Sequence, residues 1–131
     1  MLKSIVIIFV MHIFAGFFLQ SNRISKLKRE KKRYLTEHVG MYTLIFMVLS
    51  PVLLGLTILQ GVIYSLINGV FHYGVDFFTG KLKLKLMGKN EVKYNLIVVM
   101  DYTIHLVILI STYFYLYPDA FKAVTFWEKY N

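Results

Sequence analysis

"VGMYTLIFMVLSPVLLGLTILQGVIYSLINGVFHYGVDFF", residues 39–78, decides the fold. It carries one charged residue, Asp76, and one histidine, His72. As a single helix it would be roughly 60 Å long, about twice the hydrocarbon thickness of a bilayer. It must therefore fold back on itself. The break is expected at "SPVLLG", residues 50–55, where Pro51 lacks an amide donor and Gly55 permits a turn. This reading gives two antiparallel helices, about 36–51 and 55–79, with Thr36 as the N-cap of the first.

The same logic extends outward. Residues 4–19, "SIVIIFVMHIFAGFFL", make a first apolar run, predicting a helix over about 2–20. No small-x-small cleavage pattern follows it, which argues against a signal peptide. Residues 95–117, "NLIVVMDYTIHLVILISTYFYLY", predict a last helix, closed by Pro118, with Tyr113, Tyr115 and Tyr117 as an interfacial cluster. The Lys/Leu alternation in "KLKLKL" would suit a strand, but a lone strand has no partner, so a surface-lying segment is expected there. The tail offers Phe121, Val124 and Trp127 to a membrane surface. With 57% hydrophobic residues and a mean hydropathy of +0.59, charges gather in a few blocks. The fold class expected is all-α: one polytopic, four-helix transmembrane bundle. The chain has no cysteine, which excludes disulfides and thiolate metal ligands.

Orientation follows from the basic residues. Of 15 Lys and Arg, seven lie in residues 21–35 and five in residues 80–94. The positive-inside rule places both loops in the cytoplasm and both termini outside the cell (inner) membrane. The loops suit anionic lipid headgroups. Nucleic acid is not expected, because no stacking motif accompanies the charge.

That topology brings all four histidines, His12, His38, His72 and His105, into the cytoplasmic half of the membrane with Asp76 and Asp101. His72 and Asp76 are four residues apart on one helix, Asp101 and His105 four apart on the next. Residues so spaced share a helical face. Antiparallel neighbours would then present two imidazoles and two carboxylates to one point. His12 shares a stripe with Gly16 and Gln20, while Gly61, Ser65 and Asn68 continue the stripe of His72. Ionisable groups at this depth are costly unless they meet a partner. A divalent metal (zinc, manganese or iron) held by His12, His72, Asp76, Asp101 and His105 is one expectation, with His38 nearer the surface. A proton relay or a structural His–Asp network are the others.

These motifs resemble a family of small prokaryotic membrane proteins catalogued as domain of unknown function 3307. The resemblance rests on "HIFAGFFLQ" (12–20), His38, "HYGVD" (72–76) and "DYTIH" (101–105). The chain departs from the family pattern at three positions. Gly16 stands for a first-helix aspartate, Tyr42 for a second histidine, and Tyr102 for a glutamine. The resemblance implies membrane location and no particular activity.

As an enzyme, the chain would be a metal-dependent hydrolase of a lipid-like substrate, with Asp76 or Asp101 as base. As a non-enzyme, it would be a small subunit of a transporter or another membrane complex, or a homo-oligomer.

Overall fold

A computed structural model describes residues 1–18 and 21–119. Gln20 and the tail residues Phe121, Val124 and Trp127 lie outside the described residues. Helix α1 spans Leu2–Ile13 and runs into a π-helical turn, Phe14–Phe18. There follow α2 (Asn22–Leu27), α3 (Lys32–Leu54), α4 (Ile58–Leu86) and α5 (Glu91–Leu116). There is no strand among the described residues. Helices α3, α4 and α5 are each long and apolar enough to cross a membrane. The first apolar helix is shorter, Leu2–Gly16, against the roughly 20 residues a span needs.

The hairpin forms later than the proline suggests. Pro51 lies inside α3, and the helix ends at Gly55 with φ 67 and ψ 26. A proline near the end of a helix removes one hydrogen bond without stopping the last turn, whereas the left-handed position favours glycine. Thr57 then opens α4 with a capping box, its hydroxyl accepting from Gln60 N–H while the Gln60 side chain accepts from Thr57 N–H. Thr36, expected as a cap, is internal: its hydroxyl donates to Lys32 O at 2.9 Å, and α3 begins four residues earlier.

At the far end α4 does not stop at residue 79. It absorbs "KLKLKL" and ends at Leu86, so the connection to α5 shrinks to residues 87–90. Lys and Leu are both good helix formers, and a preceding helix extends through such a run at little cost. Gly88, at φ 71, makes the turn. Asn90 caps α5 by accepting from Lys93 N–H.

Helix α4 is central, packed along α3 on one side and α5 on the other, and α1 closes the bundle against α3 and α5. The α3–α4 seam is close because of two glycines. A Cβ on Gly61 would sit 2.5 Å from Pro51 Cγ, and one on Gly69 would sit 2.4 Å from Thr43 Oγ1. The core toward the hairpin end is aromatic: Phe46, Tyr64 and Tyr113 are fully buried, and Tyr42, also buried, lies between Phe46 and His72. Their hydroxyls are satisfied across helices, Tyr64 donating to Leu109 O (2.8 Å) and Tyr113 to Leu54 O (3.3 Å). The expected interfacial tyrosine cluster is therefore divided. Tyr113 and Tyr117 are core residues, and Tyr115 alone faces out, at 86% exposure.

Much of the outer surface along the long helices is apolar. Val48, Val52, Ile58, Val70, Val92 and Val99 are among many large aliphatic side chains left exposed.

Candidate metal centre

The opposite end of the bundle has a buried polar core. His12 comes from α1, His38 from α3, His72 and Asp76 from α4, and Asp101 and His105 from α5, all buried. The i,i+4 pairs each share a face, and α4 and α5 turn those faces toward each other. The meeting point is direct: His105 Nε2 lies 3.5 Å from Asp76 Oδ1.

Two donor sets converge there. In the first, His38 Nε2, His72 Nε2 and Asp76 Oδ2 form a triangle with edges of 3.2, 3.3 and 3.3 Å. In the second, Asp76, Asp101 and His105 each bring a donor within 4.8 Å of the others. Asp76 belongs to both: its Oδ2 is a corner of the triangle, and its Oδ1 faces His105 Nε2. At metal–ligand distances of about 2.0–2.1 Å, tetrahedral geometry separates donors by about 3.3–3.4 Å. The first triangle has that size.

His105 is oriented for ligation. Its Nδ1 lies 2.7 Å from the backbone carbonyl of Asp101, an acceptor only, so Nδ1 carries the proton. In the neutral imidazole its Nε2 is then a bare lone pair. It is buried, has no hydrogen-bond partner, and faces a carboxylate oxygen. Two acceptors so placed are complementary to a cation between them. An imidazole pinned through one nitrogen to a carbonyl is also how proteins commonly present histidine to a metal.

His12 stands outside both donor sets. Its Nδ1 is bonded to Tyr42 OH at 2.9 Å, and its ring lies 5.5 Å from that of His105 and 6.3 Å from that of His72, centroid to centroid. Its Nε2 is buried without a hydrogen-bond partner among the described residues. His38, which sequence depth made the least certain member, belongs to the compact triangle. The difference lies in α3, which starts early and carries His38 a full turn into the bundle. Tyr42, where the family resemblance suggests a second histidine, holds His12 in place.

Two lysines belong to this site that charge counting had assigned to topology. Lys28 Nζ lies 3.3 Å from His38 Nε2 and 3.5 Å from Asp76 Oδ2. Lys83 Nζ donates to Asp101 Oδ2, and Thr79 Oγ1 donates to Asp101 Oδ1 at 2.8 Å. Lys83 was findable: Asn68, His72, Asp76, Thr79 and Lys83 form one helical stripe once α4 is allowed past residue 79. Lys28 precedes α3 in a turn, and no periodicity marks it.

The side chains enclose a cavity of about 300 Å³, whose lining includes Gly16, Lys28, Arg29, Asp76, Asp101 and Tyr102. A Cβ on Gly16 would meet nothing within 4 Å, so the missing carboxylate of the family pattern leaves open space.

No curated protein and no solved structure matches the chain. The family model described as "Protein of unknown function (DUF3307)" matches residues 5–130, and the chain belongs to that family.

Proposed function

We propose that the chain is an integral protein of the prokaryotic cell membrane, a four-helix bundle with both basic segments cytoplasmic, that binds a divalent metal at His38, His72 and Asp76. The three-donor triangle, with edges of 3.2–3.3 Å, carries this reading. His105 and Asp101 complete the surroundings through the second oxygen of Asp76. The apolar outer surface and three span-length helices support the membrane assignment.

Zinc, manganese or iron suits this nitrogen and carboxylate donor set. A bound ion of this type supplies Lewis acidity and an activated water, the chemistry of a membrane-embedded hydrolase. With Asp76 used as a ligand, proton acceptance falls to Asp101 or to His12, whose Nε2 is free. The second reading is a structural or relay network in a non-enzymatic subunit. It is favoured by the pairs Lys28–Asp76 and Lys83–Asp101, which match both carboxylates with cations without an ion.

The test is metal content by elemental analysis of protein purified in detergent without chelator. Near one zinc, manganese or iron per chain is expected, with loss in His72→Ala and weakened retention in His105→Ala. Protein without metal, and without thermal stabilisation by added zinc or manganese, would leave the network reading in its place.

A further inference from the structure

The polar cavity is over-supplied with positive charge. Three cations line it, Lys28, Arg29 and Lys83, against two carboxylates, Asp76 and Asp101. Lys28 and Lys83 each have a carboxylate. Arg29 has none among the described residues: its Nη1 donates to Tyr94 OH at 2.7 Å, and its Nε is buried without a partner. An arginine that lines a polar cavity with an unpartnered Nε is suited to a planar or tetrahedral oxyanion. A divalent ion at the triangle would add two more positive charges.

A second cavity adjoins the first. It is an apolar groove of about 400 Å³ between α1 and α5, lined by Phe9, Ile13, Thr103 and Leu106. His12 and Tyr102 line both spaces. A cationic pocket and an apolar groove thus share one wall, and the groove lies on the surface that faces lipid in the membrane reading.

We infer that this pair of cavities binds a phosphate-bearing membrane lipid. Its phosphate enters beside Arg29, Lys28 and Lys83, and its chain lies along Phe9, Ile13 and Leu106. This names a substrate or ligand class for the proposed metal site and rests on that reading only for any chemistry, not for binding. An uncapped phosphate is preferred over one that carries its own cation, because the pocket already holds the positive charge.

The experiment is competitive lipid binding to the full chain in detergent, read by native mass spectrometry, in zinc-loaded and chelator-treated samples. Phosphatidic acid, phosphatidylcholine of the same chains, and inorganic phosphate are compared. Phosphatidic acid is expected to bind roughly tenfold tighter than phosphatidylcholine, the scale of one charge-assisted contact. Arg29→Gln should abolish that preference while phosphatidylcholine binding stays. Thr103→Trp, an exposed position at the groove, should weaken both lipids. Equal affinity for the two lipids, or a preference that survives Arg29→Gln, would overturn the inference. Inorganic phosphate binding as tightly as phosphatidic acid would overturn the lipid assignment. If Arg29→Gln does not fold, unchanged lipid affinity in Thr103→Trp refutes the groove. Protein that keeps its phosphatidic acid preference but takes up no zinc would sink the metal reading alone. Protein that takes up zinc but ignores the headgroup would sink this inference alone.

Discussion

Replacing Lys28 by methionine should make metal binding tighter. In the structure the ammonium holds one edge of the donor triangle, 3.3 Å from His38 Nε2 and 3.5 Å from Asp76 Oδ2. An ion about 2.05 Å from each corner of that triangle would sit about 0.8 Å off its plane, so the three donors need hardly move. The ammonium must move, since it contacts two of the same three corner atoms and bears like charge. Both its contacts are long for charge-assisted bonds, which are usually 2.7–2.9 Å, so their combined loss costs about 1–3 kcal/mol. Wild-type protein loses that amount from its metal affinity and Lys28→Met does not. At about 1.4 kcal/mol per tenfold, the variant should bind zinc roughly 5- to 140-fold more tightly. The assay is zinc titration against a chromogenic chelator in detergent, with Lys26→Met as a control for loop charge. Metal-free Lys28→Met should also melt lower than wild type, because buried Asp76 loses a partner, and zinc should restore it. Zinc affinity equal to or below wild type in Lys28→Met would refute the placement of the ion at this triangle. A lowered melt that zinc does not restore would support a purely structural network.

Three further outcomes follow from the packing and the topology. Lys83→Met should destabilise the metal-free protein by about 3–5 kcal/mol, the cost of leaving a buried carboxylate without its cation; the double variant with Asp101→Asn should recover much of that loss in thermal or denaturant melts. Gly61→Ala should cost about 1–3 kcal/mol by overpacking against Pro51, less up to about 1 kcal/mol of gained helix propensity, whereas Gly74→Ala, whose Cβ meets nothing within 4 Å, should be neutral or stabilising. Cysteines at Ser21 and Lys89 should be shielded from an impermeant reagent in intact cells and one at Lys129 labelled; the reverse pattern would invert the orientation.

How much was legible depended on whether a signal was periodic. The apolar runs exposed the helices, and the two i,i+4 His/Asp pairs exposed the face that α4 and α5 share, because a helix turns every fourth residue to the same side. Helix ends were less legible. Pro51 reads locally as a stop, yet the chain stops only where Gly55 takes a left-handed conformation. The "KLKLKL" run reads as alternating, yet it continues α4, because tertiary context and the preceding helix outweigh a weak strand pattern. The boundary error had a consequence for the site. Ending α4 at residue 79 hid Lys83, and starting α3 at residue 36 left His38 near a helix end and understated its depth.

The lysines show why a residue's class does not fix its role. By count, the basic blocks are explained by membrane orientation, and Lys31, Lys81 and Lys89, all exposed, need no further account. Lys28 and Lys83 sit in the same blocks but return into the bundle, each to a different carboxylate. A carboxylate buried on an apolar helix needs a compensating charge, and here the basic segments supply it. The orientation signal and the site's counter-ions are therefore drawn from the same residues. The His/Asp cluster lies at the end of the bundle where the basic segments join the helices, and Lys28 and Lys83 reach it from those segments. It would also make the proposed site adjustable: cations on flexible stems could leave the carboxylates for a divalent ion and turn to an anion in the same cavity, whereas a third carboxylate at position 16 would have fixed the charge in place.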